Sequence, residues 1–166
     1  MKIAILLPYK ENFSPDYPGA VSIYVKDTTK TSKFKNKIFI YGSTKYKRKL
    51  LKNYINLPFN KELFQSTSKI YVNNFLRDEK KRNSDIIEIH NRPSYVNTIF
   101  NNVKSKLVLY FHNDPLEMNG SKKISDRLNI LYKVEKIVFN SEWSKKRFLT
   151  GMDKIYFYFV GRLINN

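Results

Sequence analysis

The chain has two histidines, and each closes a short apolar run in a similar setting: Glu88-Ile89-His90-Asn91-Arg92-Pro93 and Tyr110-Phe111-His112-Asn113-Asp114-Pro115. An imidazole with a pKa near 6.5 keeps a large neutral fraction at neutral pH. His112 can therefore accept a proton or a hydrogen bond from a substrate hydroxyl, and His90 is a second candidate of the same kind. Asp114, two residues after His112, either orients that ring or caps the turn that Asn113-Asp114-Pro115 favours by itself. There are no cysteines. Structural disulfides, thiolate catalysis, Cys-ligated zinc and Fe–S clusters are thereby excluded. The dinucleotide fingerprint G-x-G-x-x-G, the P-loop, H-E-x-x-H and the nucleophile elbow G-x-S-x-G are all missing, which argues against a classical NAD enzyme and a P-loop NTPase. No D-x-D pair is present to hold a divalent cation on a diphosphate, and no metal is implied.

The elements that must position these histidines follow from the hydrophobic pattern, which repeats a short β-branched run, a polar loop and a longer amphipathic segment. The runs are Ile3 to Leu7, Lys37 to Tyr41, Ile86 to Ile89, Leu107 to Phe111 and Lys136 to Phe139. The first, third and fourth are nearly continuous in apolar residues, as strands buried on both faces of a parallel sheet are. Helices are expected from about Ala20 to Phe34, placing Ile23, Tyr24 and Asp27 to Thr31 at helical spacing, and from about Lys61 to Lys81, burying Leu63, Phe64, Ile70, Tyr71, Phe75 and Leu76. A third starts at Pro93 and runs through Val96, Ile99, Phe100 and Val103. The fourth begins near Ser121 and buries Ile124, Leu128, Leu131 and Tyr132. The last is short, with Ser141 as N-cap, Glu142 at the positive end of the dipole, and Lys145, Lys146 and Arg147 before Gly151. Residues 42 to 58 read as a loop or frayed helix. Right-handed crossovers then give an α/β, doubly wound, Rossmann-like domain with at least five mostly parallel strands. In such a sheet ligands bind beyond the carboxyl ends of the strands, which is where both histidines fall.

A chain of 166 residues suits one domain with a core of its own. Thirty-one Lys and Arg against 14 Asp and Glu give a net charge of +17, which favours anionic partners. Lys45, Lys47, Arg48, Lys49 and Lys52 around Tyr46 and Tyr54 form a basic aromatic stretch that nucleic acid or an acidic membrane surface would suit. The opening apolar run is too short to be a signal peptide or a membrane span, so a cytoplasmic protein is expected. After the first strand, Pro18-Gly19-Ala20-Val21 leads into a helix, and a glycine there lets backbone N–H groups approach an anion.

Five stretches together resemble the N-terminal domain of a family 4 glycosyltransferase of the two-domain GT-B architecture. They are Lys2 to Pro8; Pro18-Gly19-Ala20-Val21, where the family usually has two glycines; Ile89 to Pro93; Phe111-His112-Asn113-Asp114; and Phe139-Asn140-Ser141-Glu142-Trp143 with Arg147-Phe148-Leu149. The match covers about residues 1 to 150. Tyr156 to Leu163 resembles the first strand and turn of the family's C-terminal, donor-binding domain, with Gly161 and Arg162 in its phosphate turn. The resemblance implies residues 1–151 as an acceptor-side domain and 152–166 as a remnant of the linker and the donor domain.

Such enzymes move a sugar from a nucleotide diphosphate sugar to an acceptor hydroxyl, with retention and without a metal, commonly in cell-envelope polysaccharide synthesis. By resemblance, His112 is the candidate catalytic residue. Gly19, Ala20, His90, Asn91, Arg92, Asn113, Asp114, Ser141 and Glu142 are the candidate substrate-binding residues. No cofactor is implied beyond the nucleotide sugar as co-substrate. The expected partners are that sugar, a glycan or lipid-linked acceptor, an anionic membrane at its inner face, and a donor domain or a second copy meeting the tail strand from Ile155 to Val160. The alternative is a non-catalytic basic Rossmann-like module that docks on acidic membrane or nucleic acid.

Overall fold

A computed structural model describes residues 1–58 and 66–152. Six strands form one sheet: β1 (Ile3–Leu6), β2 (Ile38–Gly42), β3 (Tyr54–Asn56), β4 (Ile86–His90), β5 (Lys106–Phe111) and β6 (Lys136–Phe139). Every neighbouring pair is parallel, and the order is β3-β2-β1-β4-β5-β6. The chain works outward from β1 to β3, returns to the centre, and works outward again from β4 to β6. The reversal lies between β1 and β4, and the carboxyl ends at such a reversal are where doubly wound sheets bind ligands. This is the α/β, doubly wound, Rossmann-like sheet that the hydrophobic runs indicate.

Alternation sorts the strand side chains onto two faces. Ile3, Ile5, Leu7, Ile38 and Ile40 meet Phe13 and α1 (Ala20–Thr31), which contributes Val21 and Val25. On the other face Ala4, Leu6, Ile87, Ile89, Leu107, Leu109 and Phe111 pack with α2 (Thr67–Arg82), α3 (Val96–Phe100), α4 (Ile124–Lys133) and α5 (Glu142–Leu149). Each fully buried aliphatic or aromatic side chain here contributes about 1.5–3 kcal/mol of transfer free energy.

Several local expectations are corrected. The buried stripe of α1 is Val21, Ser22, Val25 and Thr29, whereas Ile23 and Tyr24 face outward, each about 40% exposed. Two small hydroxyl residues on the inward face hide the true stripe from a hydrophobicity count. The helix stops at Thr31 because Ser32 turns extended, and a 3-10 turn at Lys35–Lys37 leads into β2. Residues 42 to 58 contain β3, a three-residue edge strand too short to show periodicity, which pairs with β2 and stacks Tyr54 on Phe13 at 5.0 Å.

The third helix is a 3-10 turn at Pro93–Tyr95 followed by only five α-helical residues, with Phe100 exposed and Val103 beyond its end. In α4 the inward residues are Arg127, Ile130 and Leu131, with Leu128 packed at the margin, while Ile124 and Tyr132 are exposed. α2 starts at Ser66, whose hydroxyl accepts from the Lys69 N–H, and ends at left-handed Asn83. Ile70, Tyr71, Phe75 and Leu76 are buried in it as the pattern requires. Leu63, Phe64, the tail strand from Ile155 to Val160, Gly161 and Arg162 lie outside the described residues. Met152, at the proposed domain boundary, is buried in the core. Among the described residues no helix is long and apolar enough to cross a membrane.

Candidate functional site

The carboxyl ends of β4 and β5 bring the two histidines together. His90 pairs in register with Tyr110, and because His112 follows Tyr110 by two residues, alternation sends all three rings to the α1 side of the sheet. The His90 ring stacks on Tyr110, with centroids 4.3 Å apart and planes 8° from parallel. Nδ1 of His90 lies 2.9 Å from Nε2 of His112, one hydrogen bond between two imidazoles. Glu88, two residues before His90 on the same face, places Oε2 3.5 Å from His90 Nε2. From the other side Tyr24 of α1 sets its ring edge against His112, 5.1 Å away at 70°. The outward turn of Tyr24 thus covers the histidine pair instead of entering the core.

The backbone around the pair is latched from both sides. Asn91 adopts left-handed φ of 56°, its N–H donates to the Tyr110 carbonyl at 2.8 Å, and its side-chain oxygen accepts from the His112 N–H at 3.1 Å. Asn140, after β6, donates from Nδ2 to the His112 carbonyl at 2.8 Å. Arg92 donates from Nη1 to the Asn91 carbonyl, which ties the residue to the same turn.

His90 is 1% exposed, while His112 is half-buried. Burial, followed by the neighbouring His90, pushes the His112 imidazole down to about 4. Burial, then the charge on Glu88, holds the Tyr24 phenol above its usual value, and the same two causes raise Tyr110 well above it. At neutral pH the site therefore offers a neutral imidazole between protonated phenols.

Of the two roles open to Asp114, the structure gives the cap. Its Oδ1 accepts from the Leu116 N–H at 3.0 Å, and its carboxylate meets Arg147 through Nε at 3.0 Å and Nη2 at 2.8 Å. Both oxygens are committed, so Asp114 does not orient His112. It joins the loop after β5 to α5, and the Arg147 hydrogen bonds hold its carboxyl below the usual carboxylate range. Ser141 is the N-cap of α5, its hydroxyl accepting from the Ser144 N–H at 3.1 Å. Glu142 and Asn113 are exposed, and Glu142 faces Lys145 at 3.7 Å.

Gly19 is the N-cap of α1, in ordinary extended conformation. Its need for glycine is spatial: a Cβ there would fall 1.9 Å from Glu11 Oε1. That oxygen accepts from the Ser22 N–H at 2.9 Å. The anion position at the start of α1 is thus filled by the chain's own carboxylate. Ala20 is exposed one turn before Tyr24, the residue through which α1 touches the histidine pair.

The sequence reading missed Glu88, Tyr24, Tyr110, Asn140 and Glu11. Glu88 carried a signal, since it shares a strand face with His90 at a spacing of two. Glu11 and Tyr24 come from a loop and a helix face that no pattern ties to strand ends far along the chain. Among the described residues no group of three or more His, Cys, Asp and Glu side chains is arranged to hold a metal ion. Comparison of the sequence with family models and with curated proteins returned no match.

Proposed function

We propose that the chain is the acceptor-side half of a glycosyltransferase, which moves a hexosyl group from a nucleotide diphosphate sugar to an acceptor hydroxyl and needs a donor-binding domain for turnover. One observation carries this reading: a neutral, half-buried His112 stands at the carboxyl edge of a parallel sheet, next to the strand that closes the β1/β4 reversal. In the transfer, the acceptor oxygen bonds to the anomeric carbon as the bond to the diphosphate breaks, and the hydroxyl must give up its proton. A neutral imidazole is suited to hold that hydroxyl. The motif resemblance over residues 1 to 150 supplies the reaction class.

The test is sugar transfer from a panel of nucleotide diphosphate sugars, by the full chain with and without a separately expressed donor-binding domain. Transfer is expected only with that domain, falling about 100-fold or more in His112→Ala, as removal of a general base does. Inactivity in both arms, with no binding of sugar nucleotides or glycans by calorimetry, overturns the reading.

A second reading is favoured by one surface feature. Exposed Tyr17 stacks on Tyr46 at 6.5 Å, and Lys45 lies over the Tyr46 ring in a chain of charge +17. A non-catalytic module docking on nucleic acid or anionic membrane would use that face, and its binding to duplex DNA or anionic vesicles would weaken steeply with salt.

A further inference from the structure

Between the two histidines and Glu88 the placement of protons is constrained. Nε2 of His90 is buried and has no hydrogen-bond partner, and the carboxylate oxygen of Glu88 faces it at 3.5 Å. A bare nitrogen there would set its lone pair against an anion in a low-dielectric pocket. A protonated one attracts it, and a small closing movement makes the bond. With the proton on Nε2, a neutral His90 has a lone pair on Nδ1. The contact at 2.9 Å is then donated by Nε2–H of His112. A neutral imidazole carries one N–H, so Nδ1 of His112 is bare. That nitrogen has no protein partner among the described residues and is not among the buried unpartnered atoms.

We infer that Glu88 and His90 are positioning residues that set the polarity of His112, so that its unprotonated Nδ1 faces the ligand and accepts a hydrogen bond from a hydroxyl. The order of donation runs from the His112 Nε2–H to His90 Nδ1, and from the His90 Nε2–H to Glu88. The phenols packed around it stay protonated: Tyr110, stacked on His90, and Tyr24 across the rings. Nδ1 in this state would repel a phosphate oxygen and select a donor, which fits a sugar or acceptor hydroxyl and not the diphosphate. That choice of ligand rests on the sugar-transfer reading; the polarity of the ring does not.

The experiment is two-bond proton–nitrogen correlation spectroscopy on the full chain with labelled histidine, at neutral pH and without ligand. The chain has two histidines, so His112→Ala assigns both. Both rings are expected as the Nε2–H tautomer. A His112 ring protonated on Nδ1 overturns the proposal, because it means that His90 donates through Nδ1. In Glu88→Leu, His112 is expected to lose its single tautomer and show a mixture; an unchanged spectrum in that variant removes Glu88 from the relay. Should Glu88→Leu fail to fold, the wild-type spectrum still decides the polarity. The predicted tautomers in a chain that neither binds nor transfers sugars would leave the relay standing and remove the sugar-transfer reading. Sugar transfer by a chain with Nδ1–H His112 would do the reverse.

Discussion

The carboxylate of Glu11 occupies the space that a side chain on residue 19 would need: Oε1 lies 1.9 Å from where a Gly19 Cβ would stand, and it holds the Ser22 N–H at 2.9 Å. Gly19→Ala and Glu11→Ala therefore remove the same contact, the first by pushing the carboxylate out and the second by deleting it. Each is expected to cost about 1 kcal/mol, the scale of one half-exposed hydrogen bond. Their effects should not add: in the Glu11→Ala background, Gly19→Ala should cost much less than in the wild type. Denaturant unfolding of the four proteins of the cycle measures this, and full additivity would show that the contact contributes nothing.

His112 makes stability depend on pH in a defined window. Its folded-state value of about 4 lies below the ordinary 6.5, so between the two the unfolded chain binds more protons than the folded one. Stability therefore rises with pH across that window and is lost as pH falls through it, by at most about 1.4 kcal/mol per unit. Urea midpoints measured from pH 7 to pH 4 should fall less steeply in His112→Gln. Ligand binding through the neutral ring should stay level down to about pH 5.

Asp114 acts in the same direction, at lower pH. Arg147 holds its carboxyl below the usual range, so the stability it brings is fully present above the ordinary carboxylate value and disappears as pH falls through the depressed one. Arg147→Ala should erase that acid-side loss and loosen α5 from the loop after β5. Hydrogen exchange of the Leu116 and Ser144 amides would report the loosening.

Tyr71 is fully buried and donates from its hydroxyl to the Leu7 carbonyl at 2.9 Å. Tyr71→Phe keeps the packing and strips that carbonyl of its side-chain partner. A loss of about 1–2 kcal/mol is expected, or roughly 3–6 °C in Tm for a domain of this size. A thermal melt of the variant decides it.

The parallel sheet was legible because buried strands announce themselves as continuous β-branched runs, and both histidines closed such runs. Ser141 as a cap was legible because its chemistry is local. The rest depended on distant placement. Tyr24 looked like a core residue and instead covers the histidines, since Ser22 and Thr29 take the inward face of α1. β3 has three residues and borrows its order from β2. Asp114 was ambiguous until Arg147, a helix and a strand away, settled on its carboxylate.

The reversal of strand order at β1 and β4 also orders assembly. β1 to β3 form from one continuous stretch and β4 to β6 from another, and the two halves meet where Ile3 pairs with Ile86. Closing that seam bears the largest loop entropy in the sheet. His90 and His112 meet within the second half, whereas Tyr24 arrives over them from the first. A ligand gripped by both halves would act as a rivet across the seam, slowing unfolding at the step where the halves part.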